Sequence, residues 1–132
     1  MPDVNLLAVL AAAVPSFFFG GLWYSNAMFC NVWAREANID MEAAKKRHPG
    51  KVFAVSLALA FVATYFLSAV LGPKPDLMHA VKWGAALGAG LVGTSFGINY
   101  AFAGRTVKLW AIDAGYHTIQ FALAGLVLSL FP

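Results

Sequence analysis

The sequence predicts an all-α integral membrane protein: one antiparallel bundle of four transmembrane helices over residues 1–132, with a short amphipathic interfacial helix after the first span. Three observations carry that prediction. Of 132 residues, 61% are hydrophobic and 11% are charged, against about 45–50% and about 25% in ordinary soluble domains. A soluble domain of this size leaves much of its surface in water, and so few charges could not cover it. Four stretches, 4–24, 52–71, 78–103 and 107–130, each reach the roughly 20 mostly apolar residues that a helix needs to cross hydrocarbon. The lone cysteine, Cys30, excludes an intrachain disulfide scaffold.

The first span carries no charge, and only Asp3 precedes it. Without a basic region ahead of it, it reads as a retained helix and not as a cleaved signal. Pro15 predicts a kink. Asn5, Val9, Ala12, Ser16, Gly20 and Trp23 form one stripe along it. In the linker 25–51, the spacing of Met28, Phe29, Val32 and Trp33 continues a helix along the membrane surface. Asp40 then reads as the N-cap of a short helix that Pro49-Gly50 ends. The second span holds few polar residues, Ser56, Thr64, Tyr65 and Ser68, and is expected to be the most lipid-exposed.

A Pro-rich turn, Gly72-Pro73-Lys74-Pro75-Asp76, leads to the third span. There, at α-helical spacing, Gly84, Gly88, Ser95 and Asn99 share one face, while Gly90, Gly93 and Gly97 share roughly the opposite one. Small residues let helices approach closely in lipid. Two small faces make this helix central or packed on a second subunit, so the chain is expected to form a homo-oligomer. Gly104-Arg105-Thr106 is just long enough to reverse direction into the fourth span.

Orientation follows from the basic residues. Arg35, Lys45, Lys46, Arg47, Lys51, Arg105 and Lys108, seven of the nine Lys and Arg, flank the first and third linkers. Those linkers, 25–51 and 104–108, are expected in the cytoplasm, with both termini outside. The basic run serves topology and touches anionic lipid head groups. A run this short does not predict nucleic acid as a partner. The lipid bilayer, a second copy and another membrane protein are the partners expected.

Functional suspicion rests on the polar residues at depth, which are costly unless they face protein or water. On the fourth span, Thr106, Trp110, Asp113, His117, Gln120 and Ala124 lie three or four apart, on one face. Counting about 1.5 Å per residue from the turn sets Asn99 and Asp113 at one level and His117 near the midplane. A polar cluster of Asn99, Asp113 and His117 is expected, with Arg105 and Lys108 one to two turns away. Two readings stay open. Asp113 and His117 form a proton or cation relay, or they are interhelical glue, with Asp113 capped by a hydroxyl, Asn99 or Arg105. No cofactor, metal set or catalytic group is expected. His79 and His117 sit at different levels and Cys30 is remote from both; no phosphate loop, carboxylate pair or nucleophile elbow is present. Trp23, Tyr24, Trp33 and Trp83 read as interface anchors.

Two blocks carry a resemblance. One is Gly20-Gly21-Leu22-Trp23-Tyr24-Ser25. The other runs from Asn99 through Tyr100, Phe102, Gly104, Arg105 and Lys108 to Gly115-Tyr116-His117. With the early Asn5, they resemble the bacterial domain of unknown function 1761 family over nearly the whole chain. The resemblance implies a small four-span protein of a bacterial inner membrane and supplies no reaction. It draws attention to Trp23, Tyr24, Asn99, Gly104, Arg105, Lys108, Tyr116 and His117; Asp113 lies between the blocks.

Three functions are then expected, in order: a homo-oligomer that binds or conducts a small solute or proton along its buried polar stripe; a non-catalytic accessory, interaction or lipid-binding subunit; and a membrane-embedded enzyme on a lipid or quinone, using Tyr24, Asn99 and His117. An enzymatic role is the least expected, because acid–base work needs a nucleophile or cofactor nearby.

Overall fold

The computed structural model describes residues 3–132. Helix α1 (Leu6–Trp23) starts where Asn5 Oδ1 accepts hydrogen bonds from the Leu7 and Ala8 amides, an N-cap that satisfies two otherwise orphaned donors. Pro15 lies inside it. Two short helices follow, α2 (Cys30–Glu36) and α3 (Met41–Lys45), the latter capped by Asp40 as expected.

Helix α4 (Pro49–Leu71) opens on Pro49 after a His48 cap. This corrects the expectation that Pro49-Gly50 closes the preceding helix. Proline has no N–H to lose at a first helical position and its fixed φ suits the start of a helix, so it begins α4 three residues early. Gly72, at φ 77°, ends α4 in a conformation that favours glycine. Helix α5 (Leu77–Leu87) is capped by Asp76. It passes directly into a π-helical segment, Gly88–Gly93, and then into α6 (Thr94–Phe102). Thr106 caps α7 (Val107–Ser129) after a turn in which Gly104 takes φ 68°.

Three of these helices, α1, α4 and α7, are long and apolar enough to cross a membrane. The third expected span is helical throughout, but the π segment divides it, so no single α-helix in 77–102 has that length.

Helix α7 is the hub. It packs on α1, on α4, and on α5 with the π segment. The core between them is made largely of small residues, with Ala8, Val9, Ala12, Ala80 and Ala124 beside Leu67, Leu71 and Leu128. The closest seam is α5 on α7. A Cβ on Gly84 would run into the Phe121 carbonyl, one on Gly88 would sit 2.6 Å from the His117 carbonyl oxygen, and one on Gly125 would strike the Ala80 carbonyl. Backbone lies on backbone, the contact that small residues permit. Helix α4 is the least buried of the three long helices, in line with the sequence.

The two opposed glycine faces expected in the third stretch do not exist. Gly84, Gly88 and Gly93 all face α7, and Gly97 faces the Trp110 indole. Gly90 has open space around it, and Ser95 and Asn99 are exposed. The π segment is the reason. Five residues separate Gly88 from Gly93, which in an α-helix would turn the second glycine about 140° away from the first. The wider i→i+5 turn absorbs the extra residue and returns Gly93 to the same face.

Candidate functional site

The buried polar centre is built on Asp113, which is 6% exposed on α7. Tyr24, the residue that ends α1, donates its hydroxyl to Asp113 Oδ1 at 2.5 Å. Tyr100 on α6 donates to Oδ2. A carboxylate is acceptor-only, so two phenols, one per oxygen, match its needs, and O–H···O⁻ bonds are among the shorter and stronger ones. One side chain thereby joins three elements.

An aromatic wall surrounds this centre. The Tyr24 ring meets Trp33 edge-on at 5.4 Å and Tyr116 at 5.3 Å. Phe19 stacks on Tyr116. The seam between α1 and α7 is reciprocal: Gly20 leaves room for Tyr116, whose hydroxyl would lie 2.8 Å from a Cβ there, and Gly115 leaves room for Trp23. Trp23 also donates its indole N–H to the Ile112 carbonyl at 3.0 Å. It is thus a knob between helices, a packing role beyond the interface anchor that the sequence suggested.

His117 does not bond to Asp113. Its Nδ1 pairs with Gln120 Oε1 at 2.8 Å, and its ring stacks on Phe96 at 5.1 Å. Gln120 is buried. The expected cluster of Asn99, Asp113 and His117 is therefore not assembled. Asn99 is exposed, and the neighbouring Tyr100 takes the place expected for it. The same rotation separates the Tyr24, Asn99 and His117 set on which an enzyme would have relied. Arg105 and Lys108 are exposed. Arg105 donates to the Ala37 carbonyl at 3.3 Å, and the adjacent Thr106 donates to Glu36 at 2.8 Å. Trp110 donates to the Gly93 carbonyl at 2.8 Å. Thr106 and Trp110 thus serve the turn and the π segment, and of the expected polar stripe Asp113 and Gln120 are the buried polar members.

Sequence reasoning missed Tyr100 as a partner of Asp113. The signal that would have found it is the pair of glycines five apart, Gly88 and Gly93, which no single α-helical face accommodates.

Among the described residues, no group of three or more His, Cys, Asp or Glu converges on a common point, and no fully buried side-chain nitrogen or oxygen lacks a hydrogen-bond partner. A cavity of about 60 Å³ lies at the other end of the helices, between Asn5, Ser68, Lys74 and Phe131, away from Asp113.

A family model described as "Protein of unknown function (DUF1761)" matches residues 7–129. No curated protein and no solved structure matches the chain. The match spans nearly the whole sequence, and the chain belongs to this family.

Proposed function

We propose that this member of the DUF1761 family is a four-span unit of the bacterial inner membrane that works by holding lipid and other membrane subunits, a second copy of itself included. It does not pass a solute between its own helices. The observation that carries this reading is the closure of Asp113 between Tyr24 and Tyr100. With His117 engaged by Gln120, the two ionisable groups that a path would use are each held by neighbouring side chains, as in interhelical glue.

The π-interrupted stretch 77–102 counts as the fourth span. At about 1.5 Å per residue it is long enough for a hydrocarbon core of about 30 Å. The three connections then alternate the crossings, and the positive-inside rule sets both termini outside. On the cytoplasmic face, Arg35 lies near Glu36 and Lys45 near Glu42. Among the described residues, no acid pairs with Lys46, Arg47, Lys51 or Lys108. These charges suit anionic head groups.

The experiment is reconstitution into vesicles of zwitterionic and anionic lipid loaded with a pH-sensitive dye, alongside native mass spectrometry of the gently solubilised protein. Retained anionic lipid or a bound subunit, without proton flux, is the expected result. Proton flux that Asp113→Asn and His117→Ala abolish would replace this reading with a conducting one.

A further inference from the structure

The π segment gives the third helical stretch two ways to meet α7. In the structure, Gly93, Phe96, Gly97 and Tyr100 turn inward. If the π turn tightened to an α turn, α6 would rotate by about 100° relative to α5. Ser95 and Asn99 would then line up with Gly84 and Gly88, because positions 84, 88, 95 and 99 fall on one α-helical face. We infer that residues 77–102 form a two-register switch: a π register in which Tyr100 donates to Asp113, and an α register in which the Asn99 amide takes that place.

Four features make both registers accessible. Each offers Asp113 a hydrogen-bond donor, so the rotation never strands a buried carboxylate, the step that would cost most. The outer side of the segment is unpacked, since Ala89, Gly90 and Leu91 are exposed and nothing lies within contact of Gly90. Hydroxyls stand by to satisfy loosened backbone: Thr94 donates to the Gly90 and Leu91 carbonyls at 2.7 and 3.1 Å, and Ser95 donates to the Leu91 carbonyl at 2.7 Å. The Asn99 side chain, exposed in the π register, gains a partner in the α register. The Trp110 bond to the Gly93 carbonyl favours the π register.

The change has a route to the surface. Helix α6 runs into the turn whose Arg105 and Thr106 bond Ala37 and Glu36 at the end of α2. A rotation of α6 therefore pulls on the interfacial arm. A discrete element with two packed arrangements, biased at one end and read at the other, is what coupling between sites requires.

Cysteine cross-linking in native membranes distinguishes the registers, in a Cys30→Ser background. The pair Phe96→Cys with His117→Cys reports the π register, since those rings now stack at 5.1 Å. The pair Ser95→Cys with His117→Cys reports the α register. Both disulfides form in the chain of native length. Deleting Gly90 removes the extra residue while keeping Phe96 and Tyr100 inward, so it abolishes the 95–117 bond and keeps the 96–117 bond. Tyr100→Phe raises the 95–117 fraction at least several-fold. A native-length chain that forms the 96–117 bond alone or neither bond, or a Gly90-deleted chain that still forms the 95–117 bond, overturns the switch. Fluorotyrosine at Tyr100 tests it with His117 intact. Two fluorine resonances are expected at native length and one after deletion of Gly90; a single resonance in both overturns it.

Discussion

Helix α7 meets its two main neighbours in opposite ways. Against α1 the contact is made by large side chains seated in glycine notches, Trp23 at Gly115 and Tyr116 at Gly20. Against α5 and the start of the π segment it is made by bare backbone, with Gly84, Gly88 and Gly125 lying on facing carbonyls. The first seam is keyed by a few bulky groups whose rings can shift by a few tenths of an ångström. The second is less yielding, because what a new methyl would meet at Gly84, Gly88 or Gly125 is helix backbone. In lipid, where helices associate through packing and hydrogen bonds, the two designs should tolerate substitution very differently.

The largest effect expected comes from one methyl group in the backbone seam. Gly84→Ala forces α5 off α7 and should cost about 3 kcal/mol, at the upper end for overpacking. Reversible unfolding in mixed micelles reads it directly, and a loss below about 1 kcal/mol would show that this seam yields as readily as the other. Next is Asp113→Ala, which strips the shared acceptor from two tyrosine hydroxyls; a loss of about 2 kcal/mol is expected. A double-mutant cycle of Tyr24→Phe and Tyr100→Phe should show that the two bonds are coupled through one carboxylate. Gly20→Ala presses on a side chain that can move, so about 1 kcal/mol is expected, with a change in tyrosine fluorescence as Tyr116 shifts. Smallest is Gly90→Ala, where open space awaits the new methyl. Its thermal midpoint should shift by no more than an ordinary surface change would, within about 0.5 kcal/mol. If Gly90→Ala cost as much as Gly84→Ala, the distinction between the seams would collapse.

Much of the architecture was legible in the chain. Apolar runs marked the helices that can cross a membrane, Asp40 and the Pro-rich turn marked boundaries, and sparse polarity marked α4 as the exposed helix. What escaped was whatever depended on the register of α6. Spacing arguments assume about 3.6 residues per turn throughout, and one wider turn rotates every side chain beyond it. Hence Asn99 was placed inward and Tyr100 was overlooked, an error of one residue that exchanged the partner of Asp113. The seating of Trp23 against Gly115 was equally hidden. A tryptophan at the end of an apolar run reads as a head-group anchor, and nothing in its own spacing points to the glycine that faces it.

The position of α7 in the chain has a consequence for biosynthesis. It follows the other helices, yet it supplies most of the contacts that hold them, and the contact between α4 and α5 is slight. Until it is made, α1 and α4 share the one substantial seam among the described residues, while the glycine face of α5 and the hydroxyls of Tyr24 and Tyr100 wait for partners still in the ribosome. Helices made early are therefore exposed to quality control for as long as α7 is missing. Chains truncated before Val107 should be short-lived in the cell, even with their remaining helices intact.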